Sequence, residues 1–238
     1  MANWITHLIL ADMVSMQYPD LDERAFCVGN VAPDCNILVE GELVPSRETT
    51  HFMDGDDKLS ARYDLFFETY IADRPFLDKE ERSFLLGYWM HLIADVEYLR
   101  FCRDREHLRR VFARIRKDPR ISNLVEGKEE TFLTLLRTFG KDLVFADIVR
   151  MENDYLKKKP DCSYNRILRH IEYFPNYLNI FQENHFAEKI AMMIRKYDKT
   201  ADTCGEGLFF TETEYLAYLE RVSETVCTLM DTHILQTV

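Results

Sequence analysis

Apolar residues along this chain recur at three- and four-residue steps, and that spacing confines most of it to helices. Residues 5–17 place Ile5, Leu8, Ile9, Met13 and Met16 near one face. A long second helix starts at Asp78, whose side chain can cap it while Glu81 reaches back, and it runs to about Cys102. Thr211 and Glu214 repeat that signal ahead of a helix on which Tyr215, Leu219, Val222, Val226 and Leu229 recur at helical steps. Further helical candidates lie near 59–72, 104–117, 121–138, 142–157, 164–172 and 176–196. Strand alternation is hard to find. Gly29, Pro33, Gly41, Pro45 and Gly55 gather the turn chemistry into a long early loop at 29–57, and a shorter break falls near 197–208. No tandem repeat or low-complexity linker is visible. The expectation is an all-α fold, a single multi-helix domain over 1–238. Its first part, about 1–102, carries the candidate chemistry, and additional helices fill about 103–238.

A chain of 238 residues can bury a substantial core, and 47% hydrophobic with 30% charged residues is the balance of a folded protein. The formal charge of −11 argues against nucleic-acid binding, which needs a basic surface to neutralise phosphates. One segment, Arg103 to Arg120, holds eight Lys or Arg residues. In so acidic a chain it reads as a solvated helix face, with contact to nucleic acid or a membrane as the alternative. No uninterrupted apolar run approaches the roughly 18–20 residues that span a bilayer. The stretch MANWITHLILADMVSMQYPD lacks a basic leader region and a small-residue cleavage site, so it is expected to be part of the fold. The six cysteines (27, 35, 102, 162, 204, 227) form no CxxC pair and are expected to be free thiols in a reducing cytoplasm.

Within the apolar stretch GYWMHLIADVEY, His91 and Asp95 stand four positions apart and so share a helix face. A buried histidine bonded to a neighbouring acid would account for that pair alone. Three other residues lie in distinctive settings: His7 in WITHLILAD, His51 in THFMDG, and Asp34 in GNVAPDC, where Gly29 and Pro33 favour a turn that presents it. Imidazole nitrogen and carboxylate oxygen are the ligand set of zinc and related divalent ions, and catalytic sites draw them from several segments. Taken singly, His7 also reads as a core histidine and Asp34 as a turn or cap residue.

In chain order, THLILAD, GNVAPDC, THFMDG and FLLGYWMHLIAD together resemble the zinc-dependent phospholipase C family, over about residues 4–100. The resemblance implies a multi-helix fold of the phospholipase C and P1 nuclease type. It implies zinc as cofactor, one or two ions, with other divalent metals suited to the same places. It implies hydrolysis of a phosphoester or phospholipid-like small substrate by metal-activated water. The matching positions make His7, Asp34, His51, His91 and Asp95 metal ligands. Asp95 would bridge two metals, and Asp34 would hold one and serve as a base or orient the water, which makes these two the catalytic candidates. The sequence also departs from the family. The secreted enzymes bind metal through a terminal tryptophan, whereas Trp4 lies three residues before His7. Their third metal uses another His and an HxxxE pair, a spacing that His107, His170 near Glu172, and His185 with Glu188 do not reproduce. One complete site (Asp34, His51, His91, Asp95) is therefore expected, with a second at His7 sharing Asp95. His107, His170 and His233 read as surface or structural residues. Trp4, Phe52, Tyr88 and Trp89 either wall the site or pack the core. The alternative function is a catalytically degenerate metal-binding or interaction protein of the same fold.

Overall fold

The computed structural model describes residues 3–55, 57–72, 74, 78–182, 185–198 and 207–234. Helices carry almost all of the regular structure. In chain order they are α1 (Trp4–Ser15), α2 (Glu23–Gly29), α3 (Arg47–His51), α4 (Tyr63–Tyr70), α5 (Lys79–Cys102) and α6 (Arg105–Lys117). They continue with α7 (Phe132–Phe139), α8 (Lys141–Lys158), α9 (Ser163–Arg166), α10 (His185–Tyr197) and α11 (Glu212–Ile234). One small hairpin joins β1 (Ile37–Val39) to β2 (Glu42–Val44), antiparallel, with Leu38 opposite Leu43.

The organising element is α5. Asp78 caps it as expected, accepting from the Glu81 amide at 2.8 Å, while the Glu81 carboxylate pairs with Arg74 at 2.9 Å. From Ser83 to Val96 every residue is buried, and a helix covered on all sides must run through the interior. Helix α2, capped by Asp22 through the Ala25 amide at 2.8 Å, packs along it. The approach is close because each helix offers a glycine at the crossing. A Cβ on Gly87 would overlap the carbonyl oxygen of Phe26, and one on Gly29 would overlap that of Phe84. Gly29 therefore ends a helix and lets two backbones meet; it does not form the turn expected of it. Pro33 lies in a 3-10 turn, Ala32–Asp34, that does present Asp34.

Helices α1 and α11 flank α5, and α11 begins with the expected reciprocal cap: the Glu214 amide donates to Thr211 Oγ1 at 3.2 Å and the Thr211 amide to Glu214 Oε2 at 3.0 Å. A contiguous hydrophobic core draws residues from Trp4 to Met230. The basic segment around α6 is a paired face: Arg103 bridges Asp57, Arg110 and Arg114 bridge Glu214, and Arg116 bridges Glu130.

Several expected elements differ in extent. The early loop contains the hairpin and α3, and α2 precedes it unannounced by periodicity. The helix expected near 176–196 starts only at His185, because Asn176 turns the preceding chain, donating to Phe181 O at 2.7 Å and accepting from the Leu178 amide. Residues 121–138 divide into a 3-10 turn and α7, and 164–172 into α9 and a 3-10 turn. Cys27, Cys35, Cys102, Cys162 and Cys227 are buried free thiols; Cys204 and most of the break near 197–208 lie outside the described residues. Among the described residues no helix is long and apolar enough to cross a membrane.

Candidate metal centre

Four segments deliver five side chains to one place. Helix α5 contributes His91 and Asp95 from one face, one turn apart; α1 contributes His7 from its buried side; the 3-10 turn contributes Asp34; and His51 ends α3. His51 Nε2 lies 3.5 Å from Asp34 Oδ1, 3.5 Å from Asp95 Oδ2 and 3.4 Å from His91 Nε2. His91 Nε2 is 3.5 Å from the same Asp95 oxygen. The other oxygen, Oδ1, faces His7 Nε2 at 3.6 Å. The three imidazoles are wholly buried and Asp95 nearly so, while the Asp34 side chain keeps 10% of its surface exposed.

The ring orientations are set from behind. His91 Nδ1 meets the backbone oxygen of Asn30 at 2.9 Å, which turns Nε2 toward the centre. Thr50 Oγ1 sits 3.0 Å from His51 Nδ1 and does the same for that ring. Asn30 also donates to the backbone oxygen of His7 at 2.5 Å, tying α1 to α2 beneath the site. The His7 and His91 rings stack with centroids 3.9 Å apart and planes at 7°.

The residues fit a divalent ion. Metal–ligand bonds of about 2.0–2.1 Å at tetrahedral angles separate neighbouring ligand atoms by about 3.3–3.4 Å. Four separations, from His51 Nε2 to Asp34 Oδ1, Asp95 Oδ2 and His91 Nε2 and from His91 Nε2 to Asp95 Oδ2, are 3.4–3.5 Å, close to an edge of such a polyhedron. Both ring nitrogens of buried His7 lack a hydrogen-bond partner, an arrangement that costs about 1–3 kcal/mol unless something else satisfies them. Burial pushes the His7 imidazolium pKa down, the nearby His91 lowers it further, and Asp95 pulls the other way, leaving it at about 4. At neutral pH that ring is uncharged, the form that donates a lone pair to a metal. The ligand atoms within each of two groups, His7–His91–Asp95 and Asp34–His51–His91, lie within 4.8 Å of one another.

Residues 4–119 match the zinc dependent phospholipase C family. The match takes in all five residues and extends past the 4–100 stretch legible by eye, through α6. Comparisons with curated proteins and with solved structures give no match. The phospholipase C match leaves α7 to α11 uncovered.

The neighbouring aromatics pack the structure. Tyr88 stacks on Phe66 at 4.6 Å and donates to Thr50 O at 2.5 Å, bracing the turn that carries His51; Trp89 Nε1 donates to Tyr63 O at 3.0 Å. Trp4, buried at 3% exposure, opens α1, and Phe52 meets Phe66 edge-on. The remaining histidines stay apart from the five. His107 is buried between Phe101 and Phe210 beside Glu214, His170 is exposed, and His233 is an exposed residue of α11 in ring contact with Phe67. His185 is buried against Phe181. A cavity of about 760 Å³, with Met13, Tyr18, Tyr155 and Leu219 among its lining, borders α1 but is lined by none of the five residues, so its size carries no weight for the chemistry. Sequence reading missed Asn30, Thr50 and Glu152. Glu152 takes bonds from the Thr6 amide at 3.0 Å and Thr6 Oγ1 at 2.6 Å, holding α1 beside His7. Thr50 alone had a local signal, as the neighbour of a candidate ligand.

Proposed function

We propose that this protein is a metal-dependent hydrolase of phosphoester bonds, phospholipase C-like in its chemistry. Asp34, His51, His91 and Asp95 would hold one divalent ion, zinc in the first instance, and His7 with Asp95 Oδ1 would hold a second. The reading is carried by the convergence of imidazole nitrogens and carboxylate oxygens at 3.4–3.6 Å in a segment that matches a zinc-dependent family. A divalent ion held there would lower the pKa of water from roughly 15.7 to about 7 and would polarise a phosphoryl oxygen. Asp95 would serve both places, with Oδ1 toward His7 and Oδ2 toward His51 and His91. Asp34, the acid with solvent-exposed surface, is placed to orient the incoming water and take its proton. The Asn30 carbonyl, which can only accept, holds His91 in the tautomer that leaves Nε2 as a lone-pair donor, and Thr50 orients the His51 ring. The five buried thiols support a reducing, cytoplasmic setting, and the continuous core from Trp4 to Met230 supports a single domain. Zinc-loaded protein assayed on phosphodiesters, phosphomonoesters and phosphatidylcholine tests the activity. Metal-dependent turnover on one of them is the expected result, and its absence on all three overturns the reading.

One observation favours a second reading, a metal-binding protein without catalysis. Four protein ligands with three of them almost wholly buried would close a tetrahedral ion, which is how structural zinc is held. The spectrum of the cobalt-substituted protein separates the two: a change on adding a small anion marks an open position, and an inert spectrum marks a closed one.

A further inference from the structure

Beside Asp34 the chain gathers nitrogen donors that no metal ligation uses. Lys189, on α10 and beyond the family match, donates from Nζ to the backbone oxygen of Asn36 at 2.7 Å, two residues past Asp34. Arg47 opens α3 one turn before His51 and so shares its side of that helix. Lys189 is half-buried, and burial lowers its pKa; Asp34 raises it and Arg47 lowers it, so the three charges sense one another. The donors are also short of acceptors. Arg47 Nε is buried without a hydrogen-bond partner, and so is Nδ2 of Asn36, whose residue is 2% exposed. Buried polar groups are normally paired, and an unpaired one marks a place where a ligand, ion or water belongs.

We propose that Arg47, Asn36 and Lys189 form a phosphate subsite at the Asp34 edge of the metal centre, which makes the substrate an ester whose phosphoryl oxygens these donors grip. The planar guanidinium suits two phosphate oxygens at once and the ammonium supplies a point charge. The subsite deepens the hydrolase reading and rests on it, and it brings in the half of the chain that the family match leaves out.

The test titrates inorganic phosphate into the zinc-loaded full chain by calorimetry, with metal content measured on every sample. The Lys189→Met and Arg47→Met variants are each expected to weaken phosphate binding about tenfold, the share of one charge-assisted hydrogen bond. Lys189→Arg keeps the charge and is expected to retain most of the affinity. A second arm sediments the protein with phosphatidylcholine vesicles with and without phosphatidic acid. Weaker binding to the phosphatidic acid vesicles in the variants places the phosphate on a lipid headgroup; a response to inorganic phosphate alone places it on a soluble ester. Unchanged affinity in the double variant, with zinc retained, overturns the subsite. A variant that sheds its zinc does so too, because its residue then supports a ligand and not a phosphate. A wild-type protein that takes up no zinc overturns the hydrolase reading instead, and the phosphate titration of that metal-free protein still decides the subsite.

Discussion

Asp95 Oδ1 faces His7 Nε2 at 3.6 Å, while the same carboxylate turns Oδ2 to His51 and His91. One side chain thereby links the first helix of the chain to the central one. Removing it should undo both halves of the centre. Asp95→Asn preserves the shape and discards the charge, and elemental analysis of the purified variant is expected to find less than half of the wild-type zinc.

The two halves should also come apart. His91 sits in both residue groups, whereas His7 sits only in the one with Asp95. His91→Ala is expected to lose most of the metal, whereas His7→Ala keeps the four-ligand ion and loses the other. Equal loss in both variants would show that the places do not fill separately.

Thr50 holds His51 from behind at 3.0 Å without facing the ligand cluster itself. Thr50→Val keeps the volume and removes the hydroxyl. Loss of a group that orients a ligand lowers metal affinity by about 10-fold or more, readable in a competition with a chromophoric chelator. The melting temperature of the metal-free protein should move far less.

The crossing of α2 and α5 has no room for a methyl group at Gly87. Gly87→Ala forces either a backbone shift or a rotated helix, at a cost of about 3 kcal/mol. Urea unfolding should show the drop. Because His91 and Asp95 follow Gly87 on the same helix, metal uptake should fall with it.

Glu152 gives the fold a pH dependence. Burial pushes its carboxyl up from 4.5 to about 7, against the Thr6 and Asn3 hydrogen bonds that favour the charged form. The folded state therefore binds a proton that the unfolded chain has already released. Stability from this group is full below pH 4.5 and falls as pH rises toward 7, then stays level. The difference in unfolding free energy between wild type and Glu152→Gln should shrink across that window by about 3 kcal/mol, at 1.36 kcal/mol per pH unit. A difference that is flat with pH would mean that Glu152 is not raised in the fold.

Local information sufficed for the long helices. Asp78 with Glu81, and Thr211 with Glu214, announce α5 and α11 because a cap is a bond between residues three apart. His91 and Asp95 share a face by helix geometry alone. What no local pattern holds is the meeting of α1, the 3-10 turn, α3 and α5 around one centre. That meeting depends on Gly29 and Gly87 letting α2 lie against α5, where Gly29 faces the backbone of Phe84 and Gly87 that of Phe26, far apart in sequence. Short elements such as α2 and the hairpin escaped for the same reason: few residues give periodicity little to work with, and packing decides them. Lys189 and Glu152 reach the site region from the far half of the chain, where their neighbours in sequence say nothing of Asn36 or Thr6. Sequence alone determined which groups could bind a cation, because ligand chemistry belongs to the residue. Tertiary structure decided which of them lie together, because convergence is a matter of distance.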